Sequence, residues 1–206
     1  MEPVRRVVGR MVPLDRENVD TDQIIPAHWL KRVARTGYGA GLFEAWRADP
    51  SFVLNDPRYA GATVLVAGPN FGSGSSREHA AWALQEHGFR AVISTTLADI
   101  FASNALKVGL LPVELPAADV TRLLRAVEAD PSIQITIDIA ERRVEAPGAG
   151  VRAALALPEH ARRRLLAGLD DIAATLEHDA QIEAYEARRP AWLPRVGLGD
   201  ERQRRR

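Results

Sequence analysis

The 206-residue chain contains no cysteine. That absence excludes a disulfide framework, a thiol nucleophile and any zinc or iron–sulfur site built from the chain's own thiolates. Net charge is missing too, because Lys+Arg and Asp+Glu both number 27. Without an overall positive field, nucleic acid and an anionic membrane surface are poor candidates for partners. Lysine is nearly absent, at Lys31 and Lys107 only. The cationic side is therefore arginine, a composition bias that also supplies planar forked donors for carboxylates. Charges or prolines interrupt every apolar run well short of the about 20 residues that span a bilayer, and Met1 to Asp15 holds no stretch of secretory-signal length. A cytoplasmic protein is expected.

What is present is ordinary for a globular chain: 46% hydrophobic and 26% charged residues, enough for a buried core in one domain with or without a small appendage. Val4 to Leu14 reads as an early strand, and Asn18 to Pro26 as a structured loop entering a short element. Lys31 to Gly41 has glycines at 37, 39 and 41, which disfavour helix and strand alike and predict a mobile loop. Thr63 to Ala67 is an uninterrupted β-prone run, the pattern of a strand covered on both faces. A glycine-rich turn follows, then a helix over Arg77 to His87 that Gly88 stops.

Strands over Ala91 to Thr95 and Leu110 to Leu115 alternate with a helix over Ala98 to Val108, which points to a parallel component in an α/β or layered β/β/α domain. Val120, Leu123, Leu124 and Val127 give a helix over Ala117 to Ala129 its apolar stripe. Ile133 to Ile139 and Arg142 to Ala146 suggest a hairpin. Helices are expected over Pro158 to His178 and Asp179 to Arg188.

The best candidate for chemistry is Asn70 to His79. A glycine-rich turn between a buried strand and a helix offers backbone N–H groups and the positive end of a helix dipole, a setting prepared for an anion. Arg77 adds a charged fork. The turn lacks the Gly-Lys-Ser/Thr ending of a P-loop and the third glycine of a dinucleotide fingerprint, which disfavours nucleotides. No Gly-x-Ser-x-Gly elbow surrounds its serines. Ser75 and Ser76 either cap the helix or carry hydroxyls activated by positive surroundings. Asp20 and Asp22 suggest either a metal pair or a turn locked by hydrogen bonds. The four tryptophans, Trp29, Trp46, Trp82 and Trp192, are expected as core or interface anchors. His28, His87, His160 and His178 are assigned to structure or surface.

Gly74-Ser75-Ser76-Arg77-Glu78-His79 resembles the motif of the swivelling domain of the aconitase superfamily. Asp20 to Pro26, Arg35 to Gly39, Ala98 to Phe101, Asn104 and Gly109 to Val113 are similar to the family of bacterial 3-isopropylmalate dehydratase small subunits. The similarity continues through Gly168 to Ile172 and Ala184 to Ala187, so it runs along nearly the whole chain in order. Ser73 stands where many relatives have cysteine.

The resemblance implies a layered β/β/α swivelling domain over 1–157, a helical C-terminal extension packed on it over 158–194, and a disordered tail over 195–206. It implies that a 4Fe-4S cluster resides in a separate large subunit, that this chain binds no cofactor or metal itself, and that a small dicarboxylate is the substrate. By the same likeness Ser75 is the catalytic base, Ser76 and Arg77 hold substrate carboxylate, and the Lys31 to Gly41 loop sits where the family's substrate-discriminating loop lies, with Arg35 placed to reach a substrate carboxylate or a partner surface. Two other readings remain: a related hydro-lyase subunit acting on citraconate/citramalate or a homoaconitate-type substrate, and a non-catalytic anion-binding module.

Overall fold

A computed structural model describes residues 1–190, 192 and 193; the expected tail, 195–206, lies outside them. A seven-stranded sheet organises the chain, in the order β4 (Leu111–Glu114), β3 (Ala91–Ser94), β2 (Val64–Ala67), β1 (Arg6–Leu14), β5 (Gln134–Asp138), β6 (Arg143–Ala146), β7 (Val151–Ala154). Its central strand, β1 (Arg6–Leu14), serves two neighbours in turn. Arg6 to Arg10 pair antiparallel with β5 (Gln134–Asp138), and Met11 to Leu14 pair parallel with β2 (Val64–Ala67). One strand therefore joins a parallel half, where β2 pairs with β3 (Ala91–Ser94) and β3 with β4 (Leu111–Glu114), to an antiparallel half. In that second half β5 pairs with β6 (Arg143–Ala146), and β6 with β7 (Val151–Ala154).

The parallel half needs crossovers, and the chain supplies helices for them. Between the strands come α3 (Glu78–His87) and α4 (Asp99–Val108), each closed by a left-handed glycine, Gly88 and Gly109. All four residues of β2 and of β3 are buried, as continuous apolar runs in a doubly covered sheet must be. The amphipathic α5 (Ala117–Ala129) buries Val120, Leu123, Leu124 and Val127 and lies against β1, β2 and β7. Two short helices, α1 (Thr21–Ile24) and α2 (Glu44–Arg47), occupy the long connection from β1 to β2.

Several expectations are corrected. Val151–Ala154 forms β7, an edge strand too short and too alanine-rich to announce itself. Pro158 to His178 is not one helix: α6 (Glu159–Ala167) ends at left-handed Gly168, and α7 (Asp171–Leu176) and α8 (Asp179–Ala187) follow. The loop expected over Lys31 to Gly41 is irregular only in part. Tyr38–Gly41 makes a 3-10 turn with Tyr38 and Gly41 buried, because the tyrosine ring supplies the apolar contact that the glycines lack. Trp192 is 81% exposed and is no core anchor, whereas Trp29, Trp46 and Trp82 pack partly buried against the core.

Backbone contacts divide the chain into a main unit, Met1–Asp170, and a C-terminal unit from Asp171 onward. Within the main unit α6 is tied to the N-terminal segment by the Val4 N–H, which donates to the Leu165 carbonyl at 2.8 Å. Among the described residues no helix is long and apolar enough to cross a membrane.

Candidate active site

Parallel strands place their following loops together at their carboxyl ends, which is where such sheets bind ligands. Here the loop after β2, Gly68 to Arg77, meets the loops after β1 and β3. Its first half is built inward. The Asn70 N–H donates to Thr96 Oγ1 at 2.8 Å, and the Phe71 N–H to the Thr96 carbonyl at 3.2 Å. Gly72 and Ser73 N–H groups donate to the Val19 carbonyl at 2.7 and 3.2 Å. The amides of 70–73 are thus committed to protein, and the expectation that they are open to an anion is corrected. Phe71 is buried and meets Phe101 edge to face at 5.2 Å, a geometry worth about 0.5–1.5 kcal/mol beyond the area it covers.

The second half of the loop turns outward. Gly72 and Gly74 adopt φ of 80° and 86°, a region that side chains rarely enter. A Cβ at Gly72 would lie 2.3 Å from Phe101 Cγ, so glycine is required for conformation and for space. Beyond the turn, Gly74, Ser75 and Ser76 are exposed. Neither their N–H groups nor the two serine hydroxyls bond to any described residue.

The N-cap of α3 is Arg77, extended at φ −129° and ψ 110°, with no side-chain cap. Neither Ser75 nor Ser76 caps the helix. Two hydroxyls and a run of free amides therefore stand at the positive end of a ten-residue helix.

Segment 20–23 clasps this loop. Asp20 caps α1 by accepting from the Gln23 N–H at 2.8 Å, while Gln23 Oε1 accepts from the Asp20 N–H at 3.0 Å. This is a reciprocal capping box, and its Asp-x-x-Gln spacing was readable in the sequence. The Thr21 N–H donates to the Ser73 carbonyl at 2.9 Å, and Thr21 Oγ1 to the Ser75 carbonyl at 2.9 Å. Asp22 accepts a charged hydrogen bond from Arg77, whose side chain is 15% exposed against 53% for Asp22. Asp20 and Asp22 are hydrogen-bonding residues, and among the described residues no group of three or more His, Cys, Asp or Glu is arranged for a metal. Sequence reasoning missed Thr21 and Asp22 as partners of the serine loop, since nothing local signals a contact across more than fifty residues.

The loop before α2 is anchored to α3 at its base. Tyr38 packs on His79 at 5.1 Å and on Trp82 at 5.5 Å, and the Gly39 N–H donates to Glu86 Oε2 at 3.0 Å. Burial holds the His79 pKa below its ordinary value, helped by Arg77 and opposed by Glu78. Arg35 lies in the exposed stretch with Val33, which is 99% exposed. It makes no hydrogen bond or ion pair with Ser75, Ser76 or Arg77, which the chain itself places side by side.

A sheet that is parallel on one side and antiparallel on the other, with a serine-bearing turn at the parallel strands' carboxyl ends, defines an aconitase-type swivelling domain. Residues 1–118 match the model of the aconitase C-terminal domain, and residues 171–196 match that of the C-terminal domain of the 3-isopropylmalate dehydratase small subunit. The second match begins at the residue where backbone contacts divide the chain.

The chain belongs to the 3-isopropylmalate dehydratase small subunit family. It is 60% identical to the 3-isopropylmalate dehydratase small subunit of Parafrankia sp. (strain EAN1pec), over 94% of this chain and 98% of that one. It is 58% identical to the protein of the same name from Streptomyces coelicolor, over 95% and 98%. The crystal structure of 3-isopropylmalate dehydratase from Methanocaldococcus jannaschii superposes with a TM-score of 0.62 at 27% identity, covering 88% of this chain and 99% of that one.

Proposed function

We propose that the chain is the small subunit of a heteromeric 3-isopropylmalate dehydratase, working in the cytoplasm with a large subunit. The reaction is the interconversion of 2- and 3-isopropylmalate by dehydration and rehydration through an enoic diacid, a step of leucine biosynthesis. The single observation that carries the site assignment is the Ser75 hydroxyl, exposed and unengaged at the open end of α3.

Ser75 acts as the base that removes a proton from the carbon next to a carboxylate. Such a carbon acid is weak, so the serine must reach the substrate as its alkoxide. The free N–H groups of Gly74 to Ser76, the start of α3 and Arg77 offset the charge of that alkoxide. The abstracted proton resides on Ser75 Oγ and returns from there when water adds in the opposite sense. Ser76 and Arg77 hold a substrate carboxylate, Arg77 with two parallel donors once its fork turns from Asp22 to the ligand. Arg35, on the exposed loop, meets the substrate when the domain closes against its partner.

The chain has no cysteine, and its described residues include no metal-ligating cluster, so an iron–sulfur cluster would be housed in the large subunit. Held there, a 4Fe-4S cluster supplies Lewis acidity toward the substrate hydroxyl and carboxylate. The quoted relatives carry the dehydratase name, which favours this substrate over those of the citraconate or homoaconitate type. Hydroxyls left free of structural duty favour catalysis over a passive anion-binding module.

The test is reconstitution. The purified chain alone should be colourless and inactive, and adding the large subunit should produce the absorbance of the enoic diacid. Ser75→Ala should lower turnover by about 10²- to 10⁴-fold, the usual contribution of a positioned base, while gel filtration still shows the assembled complex. Full turnover in that variant would remove Ser75 from the mechanism.

A further inference from the structure

A cavity lies at the opposite end of the parallel strands from Ser75. Its volume is about 380 Å³, near the lower end of the about 300–1,000 Å³ typical of small-molecule sites. Thr63, just before β2, and Phe89, just before β3, stand on its wall. Gly68 begins the active-site loop roughly 17 Å further along the strand, at about 3.3 Å per residue.

The chemistry of the lining is one-sided. Val12, Leu54, Tyr59 and Phe89 make it largely apolar, Arg47 and His87 are its ionisable nitrogen groups, and no carboxylate belongs to it. Arg47 forms no ion pair with any described residue. Its Nη2 lies 3.4 Å from His87 Nε2, and its Nε is buried without a hydrogen-bond partner. Thr63 Oγ1 is likewise buried and unpartnered. A guanidinium in a half-enclosed apolar hollow carries its desolvation cost without the carboxylate that normally offsets it. Partial desolvation, and then the Arg47 charge, push the His87 pKa down, so the imidazole is neutral near pH 7 and accepts from Arg47.

We propose that this cavity binds a small carboxylate with an apolar tail, Arg47 holding the carboxylate and Val12, Leu54 and Phe89 enclosing the tail. The site is separate from the Ser75 turn and does not rest on its assignment. The His87 ring borders the charged end.

The probe is 4-methylpentanoate, titrated calorimetrically into the full chain, alone and in complex with the large subunit. Saturable binding is expected in both. Arg47→Gln should weaken it by about tenfold or more, as loss of a charge-assisted pair does, and the uncharged 4-methylpentanamide should not compete. Leu54→Trp should fill the hollow and block binding with Arg47 intact, which separates ligand loss from misfolding when circular dichroism matches the unaltered chain. In proton NMR the bound anion should raise the His87 titration midpoint. Four results would each overturn the proposal: no binding at millimolar probe, equal affinity in Arg47→Gln, equal affinity for the amide, or binding lost in the complex.

Discussion

At the residue scale, Ser75 and Arg77 show how one turn satisfies opposite demands. Ser75 gives its carbonyl to Thr21 Oγ1 at 2.9 Å, which fixes the backbone while the hydroxyl stays free. Arg77 is more than four-fifths buried yet keeps its charge reachable, because Asp22, its partner, is more than half exposed. An ion pair with one member so exposed adds little to stability, about 0–1 kcal/mol, so its value is in orienting the fork. Arg77→Lys keeps the charge and loses the planar geometry. It should raise KM by about tenfold or more with a smaller change in kcat, measured on the reconstituted enzyme; an unchanged KM would detach Arg77 from the carboxylate. The glycines, serines and arginine of Asn70 to His79 single out this turn as the candidate site from sequence alone. Which amides remain free was not legible, because the Val19 carbonyl and the Thr96 carbonyl and hydroxyl that occupy the others come from the loops after different strands.

At the element scale, the strand-turn-helix unit around β2 and α3 depends on a crossing that only tertiary structure creates. Gly72 is required by its φ of 80° and by Phe101, whose ring carbon would sit 2.3 Å from an added Cβ. Gly72→Ala should therefore destabilise the chain by about 2–4 kcal/mol, combining left-handed strain with overpacking. Urea unfolding measures this, and a loss below about 0.5 kcal/mol, the range of an inert surface change, would mean the turn relaxes freely. Of the helices, α3 and α4 announced themselves through their glycine stops and α5 through its apolar stripe. The Tyr38–Gly41 turn did not, since its glycines read as freedom and its order comes from Tyr38 packing on His79 and Trp82 of α3. β7 was equally silent, because an edge strand is recruited by its neighbour's hydrogen bonds rather than by its own side chains.

At the scale of the whole molecule, the two histidines with lowered pKa values make stability depend on pH. His79 and His87 both fall below 6.5 in the folded chain, principally by desolvation. The unfolded chain takes up protons near 6.5 and the folded chain only at lower pH. The stabilisation from neutral imidazoles is thus complete above 6.5 and is lost as pH drops through the window beneath it. The thermal midpoint should fall between pH 7 and pH 5, and His79→Gln should flatten that fall; a pH profile identical to the unaltered chain would exclude His79 as a contributor.

The amino-acid sequence by itself determined that this chain carries no thiolate, that it builds alternating strands and helices around one core, and that Asn70 to His79 is its best candidate for chemistry. These follow from composition, periodicity and local backbone chemistry, which act over a few residues. Only the tertiary structure decided that β1 serves both halves of the sheet, that Arg77 rather than a serine stands at the N-cap position of α3, and that Asp22 and Thr21 clasp the turn. Such contacts join residues far apart in the chain, and their energies exist only once burial has brought the partners within hydrogen-bonding reach.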